Sequence, residues 1–227
     1  MESLELVNRD RHATVRMRPA DAGDGLFVRV VLSEFPAASA ACPLLFSKHP
    51  DTGAFYAGAM LGFKPGEYLM DSPDGRPAFR PLEMVREGFF ASGEDFVLDR
   101  AHPRFAVHDG DWLFDGNGDP TTQLKAAQTA LARLMAGSEA TDAFIAKLLA
   151  HRLIEPIDIS LHFDDGERLR LEGLYTVSLD ALNELDDAVA LDLFRSGDLQ
   201  CAYAMILSLQ HIALMARRRN ERLASGV

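Results

Sequence analysis

His162-Phe163-Asp164 has the His-x-Asp spacing that supplies the local half of a two-histidine, one-carboxylate iron site. His211, 47 residues beyond Asp164, would be the distal ligand, and Arg222 would neutralise a co-substrate carboxylate, as in an iron/2-oxoglutarate oxygenase. That architecture needs its distal histidine on a strand, whereas the residues around His211 have helical patterning. Asp164-Asp165-Gly166 is also ordinary hairpin-turn chemistry. His162, Asp164 and His211 are therefore the metal site to look for, set against a plain turn and a helix-borne histidine.

Other groupings carry less. Asp115-Gly116-Asn117-Gly118-Asp119 resembles the start of a calcium loop. Its sixth position is Pro120 where glycine is required, and its twelfth is Ala126 where a bidentate glutamate is required. A turn before a helix fits better. His102 and His108, with Met70 as a soft partner, have the side-chain types of haem axial ligands, against the simpler reading of two loop histidines. The single tryptophan, Trp112, lies in the acidic turn 108–112 as a half-buried anchor or an interface residue. There is no Gly-x-Ser-x-Gly, no Gly-x-Gly-x-x-Gly and no phosphate-loop lysine. Cys42 and Cys201 sit in apolar stretches and read as free buried thiols.

The elements that must position these residues divide by period. The first half is cut by turn residues: Asp24-Gly25, Asp51-Thr52-Gly53, Pro65-Gly66 and Asp74-Gly75. Leu26–Leu32 reads as a strand, and Cys42–Lys48 with Ala54–Phe63 as a hairpin. Tyr68–Met70, Phe96–Leu98 and Phe105–Val107 read as short strands, and Pro81–Arg86 as a helical turn. In the second half, Leu124, Ala127, Leu131 and Leu134 mark a helix that Gly137-Ser138 should stop. Phe144, Ile145, Leu148, Leu149 and Leu153 mark another, broken by Pro156. Ile157–Phe163 and Arg168–Tyr175 alternate as the arms of a hairpin, which should pair with the first-half sheet because a lone hairpin is marginal. Short helices follow over 178–185 and 186–194, then a long one over 198–222. The expected fold is one α+β domain over residues 1–227, β-rich over 13–110 and helix-rich over 120–222 with the hairpin at 157–175.

Composition sets the bounds. The chain has 227 residues, 48% hydrophobic and 25% charged, enough for one sizeable core and incompatible with wholesale disorder. Lys and Arg number 23 and Asp and Glu 34, a net charge of −11 that disfavours a nucleic-acid partner. The N-terminus lacks the cationic and apolar regions of a secretory signal. The apolar stretch from Cys201 to Ala216 is shorter than the about 20 residues of a bilayer span and contains Ser208, Gln210 and His211. A soluble cytoplasmic protein without a membrane span is expected. That stretch is apolar nearly all round, so either the core or a partner must cover it. Tyr203, Ile206 and Leu207 are its interface candidates. Arg217, Arg218, Arg219 and Arg222 form a basic end that complements the helix dipole or meets an acidic surface.

Four segments in order resemble one family. Leu61–Leu69 (LGFKPGEYL), Leu113–Thr121 (LFDGNGDPT), Leu171–Val177 (LEGLYTV) with Ala181–Leu185, and Ala202–Leu209 (AYAMILSL) are similar to segments of the SapC family of bacterial proteins. Tyr68 departs from the asparagine common in that family. The resemblance implies association with surface-layer loci. It also implies gene neighbours that include TonB-dependent receptors, flavin-dependent halogenase-like proteins and cupin-like oxygenases. It brings no catalytic residues. The function expected is an accessory or binding protein acting through self-association or a protein partner, such as a neighbouring halogenase-like protein or oxygenase, with no resident cofactor. The alternatives are an iron-, haem- or flavin-pathway enzyme or carrier linked to TonB-dependent uptake, and a surface-layer assembly factor.

Overall fold

A computed structural model describes residues 4–18, 26–70, 78–105, 108 and 110–225. The chain opens with β1 (Leu4–Leu6), α1 (Arg9–His12), β2 (Arg16–Met17) and β3 (Phe27–Arg29). A 3-10 turn at Leu32–Glu34 leads into α2 (Phe35–Ser39), β4 (Leu44–Lys48) and β5 (Phe55–Met60). Then come α3 (Leu82–Val85), β6 (Phe89–Ser92), β7 (Asp95–Asp99), a 3-10 turn at Pro103–Phe105, and β8 (Asp111–Trp112). The remainder is α4 (Thr122–Ala150), β9 (Ile154–His162), β10 (Arg168–Val177), α5 (Leu179–Asn183), α6 (Asp187–Ser196), α7 (Asp198–Ser208) and α8 (Gln210–Ser225). Helices accompany antiparallel sheets, so the class is α+β.

The chain groups into two compact units, and each draws on both halves of the sequence. The first comprises Met1–Gly23 and Leu82–Ala136. Its sheet has the order β1-β7-β6, and β2 pairs with β8. Phe89 is the centre of its core: it stacks on Phe96 at 5.0 Å and meets Phe105 edge-on at 5.1 Å. Leu98, Leu113, Leu124 and Ala127 close around it. The buried Arg104 is a structural donor, bonding the carbonyls of Arg18, Val85 and Glu87 at 3.1, 2.9 and 2.8 Å.

The second unit comprises Asp24–Pro81 and Gly137–Val227. Its five-stranded sheet has the order β3-β5-β4-β10-β9. The Asp51-Thr52-Gly53 turn closes the β4–β5 hairpin, with Lys48 opposite Phe55. The late hairpin joins this sheet as expected, with Tyr175 opposite Phe46. Phe144 of α4 packs edge-on to Phe35 and tilted on Phe46, at 6.0 and 6.4 Å. Ser208 ties α7 to the sheet: its fully buried hydroxyl accepts the Leu44 N–H at 2.8 Å and donates to the Met205 carbonyl at 2.6 Å.

Several elements differ from the sequence reading. Gly137-Ser138 does not stop a helix, because α4 runs unbroken for 29 residues. Gly137 is there for space, since a Cβ would lie 2.9 Å from Val31. Thr141 accepts the Leu32 N–H at 3.0 Å from the same face. The strand read over Leu26–Leu32 stops at Arg29. The Glu34 carboxylate accepts the Val31 N–H at 3.0 Å and turns the chain into α2, which begins with Phe35-Pro36. Tyr68–Met70 is loop, its backbone returned to Leu61 by one bond of 2.9 Å. Phe105 belongs to a 3-10 turn, while Ala106, Val107 and the Asp24-Gly25 and Asp74-Gly75 turns lie outside the described residues. Pro156 sits inside β9, which tolerates it as the edge strand of its sheet. The long last helix is interrupted at Leu209.

Ser208→Ala should lower stability by about 1–3 kcal/mol, because it strands a buried backbone N–H. Thermal unfolding should show a loss of several degrees, against no measurable change for the exposed Ser225→Ala.

Candidate functional site

His162, Asp164 and His211 are not gathered into a metal centre. Among the described residues, no group of three His, Cys, Asp or Glu side chains stands close enough to hold a metal ion. His162 ends β9 opposite Arg168 with an exposed side chain. The Asp164 N–H donates to the Asn220 amide oxygen at 3.2 Å. His211 opens α8 and its Nε2 donates to the Ser39 carbonyl at 3.0 Å. The hairpin tip is thus a docking point for α8, and the histidine is held by a backbone acceptor.

The calcium-like loop is likewise self-contained. One Asp115 oxygen accepts the N–H groups of Asn117 and Asp119, both at 2.9 Å, which lowers the carboxyl below its ordinary value. His102 lies against Phe105 and 3.7 Å from Glu87, His108 is exposed, and Met70 is fully buried. Trp112 is half in solvent, with the Arg16 guanidinium 3.7 Å above its ring. Cys42 is fully buried, and burial, with Glu34 adding, pushes its thiol up to about 12. Cys201 is also raised, by burial and then by Asp198. Neither thiol is activated as a nucleophile.

The basic end of the last helix is split. Arg217 stays exposed and pairs with Glu221 one turn on. Arg218 donates to the Leu69 carbonyl at 2.7 Å. Arg219 is only 5% exposed, so it is not part of a surface that a partner could meet. Its guanidinium lies 4.0 Å over Phe163, with Nε 3.2 Å from Glu67 and Nη2 2.6 Å from Glu167. Lys64 completes the cluster, 2.5 Å from Glu167. The Lys64 hydrogen bond, then Arg219, holds the Glu167 carboxyl below its usual range. The loop that offers Glu67 is tightly wound. A Cβ on Gly62 would lie 1.9 Å from the Glu67 carbonyl oxygen, and Glu67 also accepts the Phe63 N–H at 3.0 Å. This cluster clamps α8 to the 61–69 loop and the 163–167 turn.

What remains outward is an apolar helical surface. Ala202, Met205 and Ser208 turn inward on α7, which puts Tyr203 and Leu207 in solvent, Leu207 at 65% exposure, with Ile206 half-buried beside them. Leu214 of α8 is exposed as well. On α6, Leu193 is buried while Leu191 and Phe194 point out, Phe194 at 69%. Lys147 of α4 anchors the turn between α6 and α7. Its ammonium lies 2.7 Å from Asp198 and 3.2 Å from Asp192, and the Asp198 bond foremost raises its pKa. Sequence reading missed Leu191, Phe194 and Leu214. The available signal was an excess of apolar residues in α6 over what one buried face uses.

The 28 residues Asp198–Ser225 are long and apolar enough to cross a membrane by length and composition, with a window of mean hydropathy 1.4 that is 22% buried.

Arg219→Met should cost about 2–4 kcal/mol, because it removes the buried cation shared by Glu67 and Glu167 and leaves Lys64 to Glu167 alone. Glu167→Gln tests the same cluster by pH. A carboxylate whose folded value is lowered contributes stability above its unfolded value of about 4.3, and loses it as pH falls through the folded value. The stability gap between the wild type and Glu167→Gln, measured by denaturant titration, should be full at neutral pH. It should narrow as pH falls below the ordinary glutamate range and close once Glu167 is protonated in the folded state as well.

No curated protein and no solved structure matches this chain. The SapC family profile matches residues 7–215, which includes every segment on which the resemblance was drawn. The chain belongs to the SapC family.

Proposed function

We propose that the protein is a cytoplasmic accessory binding protein that works through the exposed apolar face of α6–α8, by self-association or by docking a protein partner. One observation carries this reading. Leu191, Phe194, Tyr203, Leu207 and Leu214 stand in solvent on three consecutive helices whose inward faces are already occupied. Large apolar side chains gathered in one region mark an interaction surface more than scattered single ones do. Aromatic anchors such as Phe194 and Tyr203 are the residue types that dominate interface energetics. A halogenase-like protein or oxygenase encoded nearby is the partner that family membership brings forward.

Native mass spectrometry and light scattering on the wild type, Leu207→Asp and Phe194→Asp test the reading. The wild type should assemble with itself or retain a partner from its host. Either charge should weaken that assembly by about tenfold or more, without moving the melting temperature, since exposed substitutions cost within about 0.5 kcal/mol. Unfolding of both variants would show the face to be core. A wild type that stays monomeric and partnerless overturns the proposal. Co-sedimentation with lipid vesicles, lost in the same variants, would assign the face to a membrane surface instead.

A further inference from the structure

On another side of the second unit, the β4–β5 turn and the C-terminal half of α4 enclose an open cleft of about 740 Å³. Small-molecule sites span about 300–1,000 Å³, are mostly apolar, and carry a few polar groups that fix orientation. This cleft has both components. Phe27 and Tyr56 supply paired rings, Phe55 lies at the start of β5 beside them, and Ile145, Ala146 and Leu149 supply the aliphatic wall of α4.

The rings are set in place before any ligand arrives. Phe27 lies over Gly58, where a Cβ would come within 2.4 Å of its ring, and tilts against Tyr56 at 5.8 Å. Phe55 meets Tyr175 edge-on at 4.9 Å, with the Lys48 ammonium 4.8 Å from its ring centre. A wall ordered in advance loses little entropy on binding.

The polar groups are mostly donors with capacity to spare. His49 Nδ1 accepts the Asp51 N–H at 3.3 Å, which places the ring proton on Nε2 as a donor. The Tyr56 hydroxyl has no partner among the described residues. Arg29 has a single ionic neighbour, Asp142, at 4.0 Å, and both side chains are about half or more exposed. A pair that long and that wet contributes little, so an incoming anion displaces it readily. The Asp51 carboxylate, 3.9 Å from His49 Nδ1, stays on the solvent side with 87% exposure, so among the described residues Arg29 is the one full cation that lines the cleft and its loosely held guanidinium selects an anionic ligand group.

We propose that this cleft binds a small organic anion with an aromatic body, its rings against Phe27 and Tyr56 and its anionic group on Arg29, with His49 as second donor. The proposal is independent of the α6–α8 face, which shares no lining residue with the cleft.

The test is calorimetric titration of the full chain with 2-naphthoate, and with 2-naphthylmethylamine as a cation carrying the same rings. Naphthoate should bind saturably at a single site, about tenfold or more tighter than the amine. Arg29→Gln should weaken naphthoate binding by about tenfold or more. Ala146→Trp should fill the cleft and abolish binding, and its melting curve should match the wild type because Ala146 is exposed. Leu207→Asp should bind naphthoate as the wild type does. Absence of saturable binding overturns the proposal. So does binding unchanged in both cleft variants, which would place the probe elsewhere, and so does a preference for the amine, which would assign the opposite charge class.

Discussion

Leu44 has a backbone N–H that is buried, and its hydrogen bond to Ser208 sets much of what the second unit does. A buried amide must find an acceptor. The β5 and β10 neighbours of β4 leave this one to a side chain 164 residues away. Meeting that requirement fixes the rotation of α7 on the sheet. With Ser208, Met205 and Ala202 turned inward, a 3.6-residue period leaves Tyr203 and Leu207 outward. The exposed apolar face is therefore a geometric consequence of how α7 is tethered. It is no failure of packing, since the inward face is fully used.

A second tether, at Arg219, secures the other end of the same helical stretch. Three of the segments by which the chain resembles its family serve these attachments. Gly62 and Glu67 shape the loop that receives Arg219. Tyr175 pairs the late hairpin with β4, and Ser208 bonds its first residue. Those residues are accounted for by architecture. The same segment that holds Ser208 also carries the exposed Tyr203 and Leu207, whereas Phe194 on α6 and Arg29 and His49 at the cleft lie outside all of these segments. Most of what those segments do is architectural, so motif reading recovered the family and little of its chemistry.

The hairpins were legible because strict alternation and Asp-Gly or Thr-Gly turns are local signals. Both hairpins form where they were read, with strand ends shifted by up to three residues, and the β4–β5 pair rests on its turn, since its strands are buried on both faces. Gly137 misled for a local reason: glycine in a helix pattern reads as a stop, yet here it makes room for Val31. The Glu67–Arg219–Glu167 cluster left no trace in sequence, because ion pairs between distant segments have no period. His162, Asp164 and His211 failed in the opposite way. Their spacing was suggestive, but among the described residues no three such side chains are gathered, and His211 is turned to the Ser39 carbonyl. Periodicity shows that a helix has an apolar side. It cannot show that α6 has two, only one of which the core consumes.

The C-terminal half of α4 shows how one helix serves several surfaces at once. Phe144 and Leu148, four residues apart, share the stripe that enters the core against Phe35 and Phe46. Asp142, Ala146 and Leu149 fall on the adjoining stripe and line the cleft. Lys147 departs from both and reaches Asp192 and Asp198 at the α6–α7 turn. The core stripe makes the helix rigid, so neither of the other directions depends on a mobile loop for its placement. A change on the cleft stripe, at the exposed Ala146 for instance, leaves the Lys147 anchor and the outward rotation of α6 untouched. Substitutions on the two surfaces should therefore combine additively, which is the behaviour of separate sites on one stiff support.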